Sequence, residues 1–254
     1  MNENNTTVAE APKAMVETHT TPAPTRPAPA RIHPLLPLAG VAVATALSAR
    51  AVRAVSPVLT FENDIRGTGD IKVLNYALAL EDLEADLYAQ ALMRLRDGGT
   101  NALGIRINSL GLTNSAEDVE YVAKFAIVEQ QHATFLRNAI TAAGGPVQPK
   151  YKYDFGMQNR TRKQVDDLVY LAEKTGVGAY LGAIKFFATK NFLAVAGAIQ
   201  GTEARHTAIF ADVLNELFNE GLPVAPLAGQ NNGIDQPIAP NTVLSSVSPF
   251  IVVG

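Results

Sequence analysis

The chain contains no cysteine and no tryptophan. The absence of cysteine excludes disulfide staples, thiolate zinc sites, iron–sulfur clusters and cysteine nucleophiles. Histidine occurs only four times, so each one can be considered by itself. Charged residues make up 18% of the chain and the net charge is -3, a balance that argues against nucleic acid as a partner. There are 15 prolines, yet none falls in residues 58–145 or 150–222. An interior proline costs a helix about 3 kcal/mol, so these two stretches suit long helices. Apolar residues reach 47% of the 254 positions, enough to bury a sizeable core.

Two divisions follow, residues 1–57 and 58–254. Positions 1–34 are rich in Thr, Ala and Pro, with almost no large apolar residue before Ile32, and a disordered leader is expected there. Residues 35–49 are apolar apart from small hydroxyl side chains. That run is short for a bilayer span, which needs about 20 residues, but it matches the apolar region of a secretory signal. Val52-Arg53-Ala54 offers a cleavage site. Export to the periplasm or the exterior is the expected reading. The alternative is a cytoplasmic protein whose leader docks on a partner or a membrane.

Apolar seams in steps of three and four define four helices in the second division. The first, over 70–96, carries Leu74, Leu78, Glu81 and Tyr88 and stops at Asp97-Gly98-Gly99. Ser115, three residues before Asp118, resembles a capping box and opens the second, whose seam includes Val122, Glu129, Ala133 and Leu136. A crossover over about 146–161 leads to the third, over 161–187. Gly176, Gly178 and Gly182 weaken its propensity and suggest close approach of a neighbouring helix. The fourth, over 191–219, carries Ile199, Glu203, His206 and Phe210. After Gly221 an extended C-terminal tail is expected to lie along the bundle. The fold class is all-α: a four-helix bundle with a crossover between helices two and three.

His19 and His33 lie in the leader. The other two histidines each follow a glutamate by three residues, in Glu129-Gln-Gln-His132 and Glu203-Ala-Arg-His206. On a helix these positions share a face, so each motif offers a carboxylate able to bridge two metal ions and an imidazole able to cap one. Both fall on apolar seams that carry no lysine or arginine. A carboxylate buried there costs several kcal/mol unless something positive meets it, and a metal is the natural counter-charge. The remaining helices repeat a Glu-x6-Tyr pair, Glu81 with Tyr88 and Glu173 with Tyr180. One glutamate from each of two helices and Glu-x-x-His from each of the other two is the donor set of carboxylate-bridged dimetal bundles. Such a set suits two iron ions, with manganese as the alternative. Tyr88 and Tyr180 read as hydroxyls that hydrogen-bond ligating carboxylates. Glu84, one turn from Glu81 on an equally apolar stripe, competes with it; the Glu-x6-Tyr repeat favours Glu81. Glu62, Glu117, Glu120, Glu216 and Glu220 flank helix ends and are expected in solvent, and Lys150-Tyr-Lys-Tyr-Asp154 reads as a packed loop.

Asp70-Ile-Lys-Val-Leu-Asn-Tyr-Ala-Leu, Leu80-Glu-Asp-Leu-Glu-Ala-Asp-Leu-Tyr, Gly176-Val-Gly-Ala-Tyr-Leu-Gly-Ala and Glu203-Ala-Arg-His206 resemble the ferritin-like superfamily, and within it the exported branch that includes desiccation-related proteins. The resemblance covers roughly residues 61–250. It implies a dimetal site with bridging Glu129 and Glu203, terminal Glu81 and Glu173, and ligands His132 and His206. It also implies a stress-related di-iron protein that reacts with oxygen or peroxide, of ferroxidase or peroxide-scavenging type. With no cysteine pair for a rubredoxin module, electrons are expected from an external donor. The proline-rich tail stands where cage-forming ferritins have a short fifth helix, which argues against a storage cage; a homo-oligomer remains an expectation. The rival reading is a non-catalytic envelope or stress protein that uses the bundle as a scaffold.

Overall fold

The computed structural model describes residues 58–252 except 228 and 230. The expected leader, its signal-like segment, His19 and His33 lie outside the described residues. The described chain is all-α in its long elements: α1 (Gly69–Leu92), α2 (Glu117–Ala142), α3 (Arg162–Ala183) and α4 (Lys190–Phe218), followed by a short α5 (Pro240–Val247). α1 packs chiefly on α2, and α3 on α4. The α1–α2 connection holds a π-helical turn (Met93–Asp97) and a hairpin of β1 (Gly99–Thr100) and β2 (Arg106–Ile107). The α3–α4 connection is only a 3-10 turn (Ile184–Phe186) and three residues. That difference accounts for the unequal spacing of the two Glu–His halves.

Helix ends follow local chemistry. Thr161 caps α3 by accepting from the Gln164 N–H at 3.3 Å, while Gln164 Oε1 accepts from the Thr161 N–H at 3.0 Å. This reciprocal pair is the capping box that the sequence reading placed at Ser115. There, Ala116 is the N-cap without side-chain help, and the Ser115 hydroxyl lies 2.9 Å from Thr113 Oγ1 instead. Asp70 in the first turn of α1 accepts from the Ala188 and Thr189 N–H groups at 2.7 and 3.0 Å, pinning the α3–α4 turn to the start of α1.

The crossover is tied by hydrogen bonds as well as by the burial of Tyr153, Phe155 and Met157 in the core. Asn75, fully buried on α1, donates to Pro146 O at 2.7 Å and accepts from the Gln148 N–H at 2.6 Å. Lys150-Tyr-Lys-Tyr-Asp154 is a packed loop as expected: β3 (Lys152–Tyr153) pairs antiparallel with β4 (Ile251–Val252), and Tyr153 is buried. The tail therefore returns to the bundle. It is extended across Ile238, then forms α5 in place of the extended chain expected from the sequence.

The α3 glycines divide their labour. Ile238 donates its N–H to Gly178 O at 2.8 Å, and a β-carbon at Gly182 would sit 1.8 Å from the Ile238 carbonyl oxygen. Gly178 thus admits the Ile238 side chain and Gly182 its backbone, so both receive the C-terminal tail, not a neighbouring helix. Gly176 faces the bundle interior instead.

One salt bridge ties the first helix pair together and another joins the two pairs. Arg137 on α2 donates to Asp82 on α1 at 2.7 Å, and Arg162 on α3 grips Asp118 on α2 through two bonds of 2.7 Å. Asp166, one turn beyond Arg162, is buried with neither carboxylate oxygen hydrogen-bonded. Burial, reinforced by the Asp118 charge, pushes it up to about 8.

Gly182→Ala should destabilise the fold by about 1–3 kcal/mol, the usual cost of overpacking, and release the tail to proteolysis. Urea midpoints and limited digestion check this; an undisturbed tail would contradict the close backbone approach. The acid of Asp166 carries a pH signature. Its folded value lies at about 8 and its ordinary value at 3.8, so stability falls as pH rises across that window and is flat above it. Asp166→Asn removes the slope. The variant should gain several degrees in Tm over the parent at the alkaline end and little at the acid end; an equal difference at both ends contradicts the assignment.

Candidate metal centre

Two apolar clusters fill the bundle, one including Leu74, Leu78, Leu136 and Ile199, the other Leu87, Val122, Val169 and Phe210. On each of the four long helices the polar residues at issue fall between them: Glu81 on α1, Glu129 and His132 on α2, Glu173 on α3, Glu203 and His206 on α4. The heptad-like seams that bury the apolar side chains carry these groups inward as well. All four glutamates are fully buried.

Their ligand atoms form two groups. Glu81, Glu129, His132 and Glu203 make one; Glu129, Glu173, Glu203 and His206 make the other, and within each the atoms lie within 4.8 Å of one another. Glu129 and Glu203 belong to both. His132 Nδ1 lies 3.1 Å from Glu129 Oε2 and 3.3 Å from both Glu81 Oε2 and Glu203 Oε1. His206 Nδ1 lies 2.8 Å from Glu129 Oε1, 3.3 Å from Glu173 Oε2 and 4.0 Å from Glu203 Oε2. The Phe125 ring stacks on the His206 imidazole at 3.8 Å between centroids and holds its plane.

The tyrosines act reciprocally. Tyr88 on α1 donates to Glu173 Oε1 on α3 at 2.5 Å, and Tyr180 on α3 donates to Glu81 Oε1 on α1. Each hydroxyl therefore fixes one oxygen of the opposite helix's carboxylate and leaves the other facing the centre. The six residues and two tyrosines are brought together; Glu84 lies in neither four-membered group. It is nonetheless buried in the same interior, its Oε1 only 3.1 Å from where a Gly176 β-carbon would be. The five glutamates expected in solvent are all exposed.

Whether these residues fit a metal pair is decided by their unused atoms. Glu81 Oε2, Glu129 Oε1, Glu173 Oε2 and both oxygens of Glu203 are buried without a hydrogen-bond partner, as is His206 Nδ1. Orphaned acceptors of this kind are costly, and among the described residues no lysine or arginine pairs with them. All belong to the two groups, and oxygen with imidazole nitrogen is a donor set for iron or manganese. The residues fit.

The electrostatics express the same shortage of positive charge. Burial raises Glu81 to about 7, against the pull of the His132 imidazole 3.3 Å away. Burial would raise Glu129 too, but the His132 hydrogen bond and the His206 imidazole 2.8 Å away prevail and hold it at about 2. The imidazoles move against their own desolvation: Glu129, Glu203 and Glu81 push His132 up to about 12, while Glu129 and Glu173 push His206 up to about 9. Burial, then the neighbouring carboxylates, drives Glu203 and Glu84 well above the usual range.

Sequence reasoning did not find the Phe125 stack or the role of Gly176. The signal for the second was present: Glu81-x-x-Glu84 on α1 is matched on α3 by Glu173-x-x-Gly176.

Residues 69–216, from the first residue of α1 almost to the end of α4, match the ferritin-like domain. No curated protein matches the chain. Matched over more than half its length, through the segment that carries both Glu-x-x-His pairs, the chain belongs to the ferritin-like family.

Proposed function

We propose that the protein is a dimetal-carboxylate oxidoreductase of ferroxidase or peroxide-scavenging type. Glu81 and His132 would hold one cation and Glu173 and His206 the other, with Glu129 and Glu203 shared. The observation that carries this reading is the sharing itself: two four-membered Glu/His groups with the same two glutamates in common. Iron is the preferred metal and manganese the alternative; when bound, two ferrous ions would supply one electron each, enough with two protons to reduce peroxide to water or dioxygen to hydrogen peroxide, and an external donor would restore them. The protein's own part is positional. Tyr88 and Tyr180 fix the terminal carboxylates, Phe125 fixes His206, and four carboxylates offset the charge that accumulates on oxidation. The apolar clusters on either side keep bulk water from the centre.

Two features bear on access and place. The His132 side chain is 14% exposed while His206 is 4% exposed, so the His132 side is the approach for a small oxidant. Export and a desiccation- or stress-related role rest on the leader pattern and on the resemblance of the helical motifs. Among the described residues no helix is long and apolar enough to cross a membrane.

His206→Ala should reduce bound iron to about one equivalent or less, measured by elemental analysis after anaerobic loading, while circular dichroism stays helical. Unchanged occupancy would refute the assignment. Oxygen uptake by the loaded parent separates the enzyme from the scaffold reading: metal that raises Tm without any uptake supports the scaffold. Metal binding must also displace protons, because Glu81 lies at about 7 and His206 at about 9. Manganese(II) affinity should therefore rise with pH through that range, by up to about tenfold per unit for each proton displaced. A flat profile would show that neither group meets the metal.

A further inference from the structure

The two halves of the bundle are related position by position. Glu81 answers Glu173, Tyr88 answers Tyr180, Glu129 answers Glu203, and His132 answers His206. The relation breaks at one pair, Glu84 on α1 against Gly176 on α3. The break is filled from across the bundle. A β-carbon at Gly176 would meet Glu84 Oε1 at 3.1 Å, Glu203 Cγ at 3.5 Å and Glu203 Oε2 at 3.7 Å. The space that this glycine leaves open is occupied by the carboxylate of Glu84 beside that of Glu203.

Glu84 is 4% exposed, and among the described residues no hydrogen bond reaches its carboxylate. A carboxylate so placed is expensive unless it meets a proton or a cation. Glu203 Oε2, the oxygen that it lies near, is itself without a partner and is the one that faces His206, at 4.0 Å. The Glu81 group makes its contact through Glu203 Oε1. The notch therefore opens on one of the two metal positions only.

We infer that Glu84 is a seventh ligand and fifth carboxylate, reserved for the cation held by Glu173, Glu203 and His206. This rests on the dimetal reading and deepens it: the two positions are unequal, and the inequality is built by one glutamate and one glycine. The Glu173 and His206 position has the larger negative charge and binds first. Its partner, held by Glu81 and His132, has no equivalent of Glu84 and binds second.

Cobalt(II) titration of the full chain, followed by its visible absorption, tests this. The parent should show two steps. Glu84→Gln should weaken the first by about 10- to 100-fold, the scale on which groups around a metal act, and leave the second unchanged. Gly176→Ala should weaken the same step by a smaller factor while keeping Glu84, because its methyl group meets the carboxylate at 3.1 Å and shifts it by a few tenths of an ångström; the change favours helix by about 1 kcal/mol, so unfolding does not explain a loss. His206→Ala and His132→Ala identify which step belongs to which position. Two steps of unaltered affinity in both Glu84→Gln and Gly176→Ala overturn the inference and leave the dimetal reading intact. A parent that binds no cobalt overturns both.

Discussion

Burial of five carboxylates in the middle of an apolar bundle is the constraint on which the rest of this structure depends. Glu81, Glu84, Glu129, Glu173 and Glu203 are all out of solvent. No lysine or arginine meets Glu81, Glu129, Glu173 or Glu203 among the described residues, and two imidazoles are the only nearby bases. An interior of that kind is stable only if protons or cations offset the charge. The raised Glu81, Glu84 and Glu203 and the raised histidines are the proton answer. The shared geometry of Glu129 and Glu203 is the cation answer. In the proposed reading the two compete, and that competition couples metal to pH.

The surrounding fold is arranged to hold those side chains rather than to bury the most apolar area. The core is interrupted at mid-bundle on every long helix, and each interruption is a glutamate or histidine. The opposed tyrosines are the clearest device. Each satisfies one oxygen of a terminal carboxylate from the opposite helix, so the direction of the other oxygen follows from covalent geometry. Outside the centre the same economy recurs in the α3 glycines: two admit the tail and one admits a carboxylate.

Much of this was legible in the chain itself. Glu-x-x-His and Glu-x6-Tyr are helical spacings, so face and depth follow once the seams are recognised. Both helix pairs, the long first connection and the solvent-exposed glutamates follow from the same periodicity and from the proline gaps. Capping was less legible: Ser115 and Asp118 satisfy the pattern, yet Asp118 is engaged by Arg162 and the reciprocal cap forms at Thr161 and Gln164. A side chain with a stronger distant partner does not serve as a local cap. Proline, asparagine and glycine after Gly221 favour an extended tail, yet α5 forms within it, with Pro240 in its first turn, where a missing N–H costs nothing.

The sequence by itself determined the helical periods, and with them which residues share a buried stripe and which chemistry that stripe can support. Local spacing sets that much, because 3.6 residues per turn is a property of the backbone alone. Tertiary structure decided which stripes face one another. Only that fixes Tyr88 on Glu173 rather than on its own helix's Glu81, excludes Glu84 from the two compact groups, and turns Gly176 from a weak point in a helix into the place that receives it. Contacts between residues about ninety positions apart depend on helix packing, and no local pattern encodes them.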